Sequence, residues 1–198
     1  MRAIDWQKFL QDQREKHGKV VFTRTELANV SSLDPSSLKV ALPRLVNRGV
    51  IQRYTKGRYG LAGAVTAEGL VSSLDNAGYI TGMHALYRHN LVTQAPAEIT
   101  CFTTRRHNKS RVRATSMGRV VFICIEGSVY AYPEDGTIAS PEQALCDFIY
   151  ICRKRHIVAS DIVTFRNLDR LNKDLLQHHL QRYPATVKRE AERLLKAL

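Results

Sequence analysis

The strongest constraint on the fold lies between Asp34 and Leu61, where the sequence requires a helix and then a hairpin in quick succession. Asp34 can cap a helix whose first turn holds Pro35, because the N–H that proline lacks would have no partner there. Gly49 can end this helix in the left-handed conformation. The following residues, VIQRYTKGRYGL, alternate apolar and polar side chains around a Lys-Gly step, which predicts a two-stranded hairpin.

The residues before this helix add two more helices and a strand. The apolar spacing from Ile4 to Leu10 predicts an amphipathic helix that ends near His17. The VVF triplet is a short strand, and Thr23 with Glu26 is the signature of a capping box that starts a second helix. Helix, strand, helix, helix and hairpin is the order of a winged helix-turn-helix, so we expect such a DNA-binding domain over residues 1–62.

The third predicted helix has two distinct faces. Its core stripe consists of Leu38, Ala41, Leu42 and Leu45, and its outer face of Ser36, Val40, Pro43 and Asn47. A proline inside a helix removes one backbone hydrogen bond and costs about 3 kcal/mol in a plain host helix. Two outcomes are open at Pro43, a kink in the helix or a complete break before it.

Residues 63–198 predict a second domain of mixed structure. A helix is followed by a short strand and by a helix that Asn90 can end, and then by three strand-like segments, AEITCFTTRR, RVRATSM and RVVFICIE. Ser140 caps a long helix, Gln143 completes its capping box, and two helices separated by Pro184 follow. The expected fold class is α+β, with a small antiparallel sheet and C-terminal helices in this domain.

Charge favours a polyanionic partner. The chain has 30 Lys/Arg against 18 Asp/Glu, a net charge of +12. Residues 1–62 alone hold 12 basic and 5 acidic residues, and no acidic residue occurs between Pro35 and Ala67. A patch of one sign attracts nucleic acid or an anionic membrane surface. Nucleic acid is favoured, because no amphipathic helix with an aromatic face accompanies the patch.

The predicted DNA contacts follow from the outer face of the third helix and from the hairpin. Hydroxyls and cations can bind phosphates, Arg or Lys can read guanine, Asn can read adenine, and a valine can touch a thymine methyl group. The candidate DNA-binding residues are Arg24, Ser36, Ser37, Lys39, Val40, Arg44, Asn47, Arg48, Arg53, Lys56 and Arg58.

A second basic surface is predicted between Thr103 and Arg113, where no acidic residue occurs. Its cations are Arg105, Arg106, Lys109, Arg111 and Arg113. Two interpretations are open: a solvated hairpin edge that charge protects from aggregation, or an interaction surface for DNA, RNA or an acidic protein. In the second case the segment could serve an RNA-binding or toxin-neutralising module.

The motifs of common enzyme classes are missing, and we expect no catalytic residues, no cofactor and no metal site. No GxxxxGK[ST], GxSxG or HExxH motif occurs. Glu142 and Asp147 lie on different sides of one predicted helix, so we interpret Glu142 as favouring the helix N-terminus and Asp147 as a surface or hydrogen-bonding residue. The adjacent His178 and His179 are interpreted as surface residues.

Cysteine usage and hydropathy point to the cytoplasm. The four cysteines, Cys101, Cys124, Cys146 and Cys152, form no CxxC pair and are expected to be reduced core residues. No apolar run is long enough for a membrane helix, and the polar start is unlike a signal peptide.

Three segments together resemble the AbiEi family of antitoxins, winged-helix regulators of bacterial type IV toxin-antitoxin and abortive-infection loci. They are ALPRLVNRGVIQRYTKGRYGL, YITGMHALYRHNLVTQAPAEITCFTTRR and IASPEQALCDFIYI, and they cover most of residues 20–152. The chain departs from the family pattern at Asn90, where relatives usually have Gly, and at Pro43 in the recognition helix.

The resemblance implies a transcriptional repressor that binds DNA repeats upstream of its own operon. The neighbouring gene would then encode a nucleotidyltransferase-like toxin, which such an antitoxin need not bind directly. We expect a monomer or weak dimer without a membrane partner.

Overall fold

The chain is an α+β protein, as expected, and the computed structural model describes residues 2–196. The α-helices in this part of the chain are α1 (Ala3–His17), α2 (Arg24–Ser31), α3 (Pro35–Asn47), α4 (Ala67–Leu74), α5 (Gly82–Arg88), α6 (Pro141–Lys154), α7 (Lys173–Leu180) and α8 (Ala185–Lys196). The strands are β1 (Phe22–Thr23), β2 (Ile51–Thr55), β3 (Arg58–Leu61), β4 (Tyr79–Ile80), β5 (Glu98–Thr103), β6 (Val112–Thr115) and β7 (Gly118–Cys124). Short 3₁₀ turns occur at Asn108–Ser110, Ala159–Asp161 and Leu168–Arg170. No helix within residues 2–196 has the length and apolar character that crossing a membrane requires.

The chain divides into two compact units. The first unit contains the residues up to Leu74 together with Ala114–Met117, and the second contains Asp75–Arg113 and the residues from Gly118 onward. The division thus follows α4 rather than residue 62. The reason is that Leu70 of α4 is fully buried in a cluster of the first unit, with Val21, Tyr54 and Val65.

In the first unit, helices α1–α4 accompany a small antiparallel sheet of order β1-β3-β2. The predicted order of helix, strand, helix, helix and hairpin is confirmed. Gly18 ends α1 in the left-handed conformation, with φ 63°. The capping box of α2 forms as predicted: the Glu26 amide donates to Oγ1 of Thr23, and the Thr23 amide donates to a Glu26 carboxylate oxygen.

Helix α3 continues through Pro43, so a break before this residue does not occur. Pro43 lies on the exposed face of the helix. Leu38, Leu42 and Leu45 are buried in the core with Trp6 and other apolar residues of the unit, as the core stripe predicts. Ala41, the fourth predicted member of the stripe, is half-buried.

The sheet of the second unit is mixed, and the prediction of a small antiparallel sheet is wrong. Its order is β4-β5-β7-β6; β4 pairs with β5 antiparallel, but β5 pairs with β7 parallel. The parallel pair arises because the chain leaves β5, passes through the 3₁₀ turn and enters β6 on the far side of β7. The strand segments are at the predicted places, but their order in the sheet differs from that of a meander.

Helix α6 is the central element of the second unit. Every residue from Glu142 to Tyr150 is buried. Ser140 caps the helix as predicted, because its Oγ accepts from the Gln143 amide at 3.2 Å. The predicted capping box is wrong, since the Gln143 side-chain amide donates instead to the Ala131 carbonyl at 2.6 Å. Because Gln143 is buried, its side-chain amide needs a hydrogen-bond partner, and the Ala131 carbonyl supplies one.

We expect Gly60→Ala to destabilise the first unit by about 1–3 kcal/mol. A methyl group at Gly60 of β3 would collide with the backbone carbonyl of Val20 and approach Val65 Cγ2 to 2.9 Å. Trp6, the one tryptophan of the sequence, is 1% exposed in this unit, so its fluorescence during urea unfolding measures the effect. The matched control is Gly127→Ala, where no atom lies within 4 Å of the added methyl group. An unchanged unfolding midpoint for Gly60→Ala would contradict the steric argument.

Candidate nucleic-acid interface

The outer face of α3 carries the side chains predicted to contact DNA. Lys39, Val40, Arg44, Asn47 and the C-cap residue Arg48 are all exposed, and Val40 is 50% exposed. The buried leucines on the opposite side hold this face outward. The helix therefore presents cations, one amide and one apolar side chain together, which is a combination suited to phosphates and base edges.

The start of α3 is stabilised by Asp34 rather than left free for an anion. Its Oδ1 accepts the amides of Ser36 and Ser37 at 2.9 and 3.0 Å, and the Ser36 hydroxyl at 2.7 Å. Hydrogen bonds from Ser37 and Ser36 hold the pKa of Asp34 well below its usual range. A phosphate contact from these two serines would therefore compete with a carboxylate.

Arg24, another predicted DNA contact, lies beside the same helix start. Its Nη2 donates to the Pro35 carbonyl at 3.0 Å, which links α2 to the first turn of α3. Its side chain is exposed, but one of its nitrogens is used to position α3.

The hairpin β2–β3 carries the remaining predicted cations. Arg53 and Lys56 are exposed and Arg58 is half-buried, while Gly57 makes the turn with φ 73°. Tyr54 is 1% exposed and donates its hydroxyl to the Leu61 carbonyl at 2.9 Å, so it anchors the hairpin, as expected for at least one of its two tyrosines. A large amphipathic ring buried at this point stabilises the strand that displays the cations.

A segment distant in sequence completes the first unit next to the hairpin. The Ser116 amide donates to the Tyr54 carbonyl at 2.8 Å, and the Thr55 hydroxyl donates to the Ala114 carbonyl at 2.7 Å. The first bond satisfies the backbone carbonyl of Tyr54 in β2, and the second satisfies the backbone carbonyl of Ala114 with a side-chain hydroxyl of β2. The sequence carries no local signal for this contact, because its partners lie about sixty residues apart.

The cations of α3 and the hairpin are electrostatically uncompensated. For Lys39, Arg44, Arg48, Arg53, Lys56 and Arg58, the structure of residues 2–196 shows no acidic side chain within 4 Å. No acidic residue occurs between Pro35 and Ala67, so α3 and the hairpin contribute only positive charges, beside the carboxylate of Asp34 at the helix start. Such a surface attracts a polyanion.

The basic segment from Thr103 to Arg113 is held by one buried carboxylate, Asp75. Asp75 accepts the Thr103 hydroxyl at 2.6 Å and the Ala77 amide at 3.0 Å, and His107 Nε2 lies 2.8 Å from its Oδ2. Arg105 approaches it to 3.4 Å. Burial raises the pKa of Asp75, but the hydrogen bonds from Thr103 and His107 outweigh burial and lower it overall. The start of the segment therefore has a defined conformation. An edge whose charges serve only to prevent aggregation would not need these contacts.

The other cations of this segment lie in different surroundings. Arg106, Lys109 and Arg111 are exposed. Arg113 is half-buried, and its Nε is buried without a hydrogen-bond partner among the described residues. The five predicted cations thus do not form one uniform surface.

Asp147 is fully buried, so its interpretation as a surface residue is wrong and its hydrogen-bonding role is confirmed. Three hydroxyls donate to its carboxyl oxygens, from Tyr79 at 3.1 Å, Thr81 at 2.6 Å and Tyr183 at 2.5 Å. Burial raises the pKa of Asp147 to about 7, and these hydrogen bonds oppose the shift only in part. Glu142 is also buried and accepts the Asn172 amide at 2.9 Å, so both acids of α6 stabilise the fold.

Two expectations about histidine and cysteine need correction. His178 is exposed, but His179 is half-buried, and burial lowers its pKa. Cys101, Cys146 and Cys152 are buried free thiols, whereas Cys124 is exposed because it is the last residue of β7. Within residues 2–196, no group of three or more His, Cys, Asp or Glu side chains is placed to hold a metal ion.

A scan of the chain against models of known protein families finds no match, and a search of the curated proteins finds none either.

The buried carboxyl gives a pH-dependent prediction for Asp147→Asn. An unfolded aspartate titrates near pH 3.9, below the folded value of about 7, so the native state binds the extra proton in this window. The stability of the wild type should fall as pH rises through the window, by at most about 1.4 kcal/mol per pH unit. Asp147→Asn has no proton to lose, so its stability relative to the wild type should increase over the same window. Urea unfolding followed by circular dichroism measures the difference.

The control for this prediction is Asp135→Asn, which removes one carboxylate from an exposed turn. A difference between Asp147→Asn and the wild type that stays flat from acid to neutral pH would contradict the assignment of a neutral buried carboxyl.

Proposed function

We propose that the first unit is a winged helix-turn-helix that binds double-stranded DNA, with α3 as the recognition helix and the hairpin β2–β3 as the wing. The observation that carries the proposal is the exposed face of α3 beside a hairpin whose cations have no acidic partner among residues 2–196. The sheet order β1-β3-β2 and the three preceding helices support the same arrangement.

Each part of this surface has a distinct role in the proposal. Lys39, Arg44 and Asn47 face the major groove, where they can contact base edges, and Val40 can contact a thymine methyl group. Arg53, Lys56 and Arg58 bind the backbone or the minor groove. Arg24 and Ser36 help to position α3, because Arg24 donates to the Pro35 carbonyl in its first turn and Ser36 donates to the capping Asp34.

We further propose that the protein is a non-enzymatic, cytoplasmic repressor of the AbiEi antitoxin type that regulates its own operon. This step rests on the sequence resemblance across both units. Its partners would be operator DNA and, functionally, a nucleotidyltransferase-like toxin. The identity of the adjacent gene is the direct check on the antitoxin assignment.

An alternative is an RNA-binding or toxin-neutralising module that acts through residues 103–113. The anchoring of this segment on Asp75 favours it over a merely solvated edge. Under this alternative, charge reversal at Arg105, Arg106 and Arg111 would abolish function, whereas alanine at Lys39, Arg44 and Arg58 would leave it intact.

The DNA-binding proposal predicts a steep salt dependence. If six cations of α3 and the wing neutralise phosphates, the logarithm of affinity should fall with the logarithm of salt concentration at a slope of roughly −5. Fluorescence anisotropy of a labelled duplex from the region upstream of the coding sequence measures the slope. Binding that is unchanged between low and physiological salt would rule out this interface.

Charge removal tests where the interface lies. In Lys56→Ala/Arg58→Ala, two wing contacts to phosphate are lost, so the slope should become shallower by about 2. The matched control is Arg170→Ala/Lys173→Ala, which removes two exposed cations from the second unit. Equal effects of the two double variants would show that general charge, rather than the wing, drives binding.

A further inference from the structure

A concave groove of about 550 Å³ lies within the second unit, beside β7. Arg119, Val121 and Ile123 line it, and these alternate residues share one face of the strand. Arg106 and Arg111, from the segment that follows β5, and Arg155, at the end of α6, line it as well.

The groove carries more positive charge than its acidic residue can neutralise. Glu98 is the acid that lines it, and it pairs with Arg119 at 3.2 Å. Arg106, Arg111 and Arg155 have no acidic side chain within 4 Å in the part of the chain that the structure describes. Arg106, Arg111 and Arg155 thus add three exposed positive charges to the lining of one concave surface without an acidic partner. Such a surface attracts anions.

The backbone that carries two of these arginines is held in place. Asp75 binds Thr103 and His107, and the His107 ring stacks on Phe122 with centroids 4.5 Å apart. The Phe122 amide donates to the Arg111 carbonyl at 2.8 Å. Because these contacts already order the segment, a ligand need not supply that ordering free energy when it binds.

The shape and the lining of the groove restrict the ligand. Guanidinium groups bind phosphate oxygens in a bidentate geometry, and several of them suit a ligand with several phosphates. Phe122 is 2% exposed and the His107 ring stacks on it, so Phe122 is not open to a base. The His107 ring lines the groove, but a single strand is usually bound on several aromatic side chains, one for each successive base. A protein reads a duplex with elements that enter its grooves, whereas this surface is itself concave. The volume falls in the range of small-molecule sites.

We propose that this groove binds the polyphosphate group of a small molecule, such as pyrophosphate or the triphosphate of a nucleotide, through Arg106, Arg111 and Arg155. Recognition uses the phosphates and not the base. The proposal does not depend on DNA binding by the first unit, because all the residues that line the groove belong to the second unit.

Cys124 provides a direct reporter, since it lines the groove and is exposed while the other three cysteines are buried. The experiment follows the labelling of the full chain by uncharged N-ethylmaleimide, with Cys124→Ser to confirm the labelled position. At a pyrophosphate concentration about ten times the dissociation constant measured by calorimetry, labelling should slow about tenfold, because only the free fraction reacts. ATP and CTP should protect equally, because the base is not read.

Matched variants locate the effect. Arg106→Glu/Arg155→Glu should remove protection, Arg106→Gln/Arg155→Gln should weaken it, and Arg170→Glu/Lys173→Glu, with the same charge change as the first pair, should retain it. Three results would overturn the proposal: no binding or protection at millimolar pyrophosphate, equal protection by sodium chloride at matched ionic strength, or protection by a DNA or RNA oligonucleotide but not by pyrophosphate or ATP. The last result would assign the groove to a polynucleotide instead.

Discussion

The buried carboxyl of Asp147 is the interaction on which the second unit depends. It binds a hydroxyl from β4, one from the residue that precedes α5 and one from Tyr183 between α7 and α8, so a single group on α6 ties four parts of the chain together. A charged carboxylate at this depth would be expensive, and burial accordingly favours its neutral form. Hydroxyls suit such a group because each of them can donate or accept.

The first unit is organised differently: its hydrogen bonds stabilise the elements that carry the exposed cations, and not the cations themselves. Tyr54, Asp34 and Arg24 make hydrogen bonds that hold the hairpin and the first turn of α3, while the neighbouring cations are left without partners within residues 2–196. Two serines that the sequence predicts as phosphate contacts donate hydrogen bonds to the capping carboxylate of Asp34. Rigid support beneath free charge reduces the ordering cost of binding an anion.

Local signals account for what the sequence could predict. Caps, a glycine stop and strand alternation involve residues a few positions apart, and the helices, the hairpin and the outer face of α3 are found where these signals put them. The parallel pairing of β5 with β7, the binding of His107 to Asp75 and the burial of Asp147 depend on partners far apart in sequence. The spacing of residues in a single sequence does not predict such long-range contacts. The charge of residues 103–113 therefore could not show which of their cations share a groove.

The contribution of Ala114–Met117 to the first unit affects how the protein can be made. During synthesis, residues up to Leu74 leave the ribosome well before the segment that hydrogen-bonds to Tyr54 and Thr55. Until this segment has emerged, the Tyr54 carbonyl of β2 remains open to water or to another strand edge. A fragment cut after α4 would keep this carbonyl open permanently, so the complete first unit requires a segment from the middle of the chain.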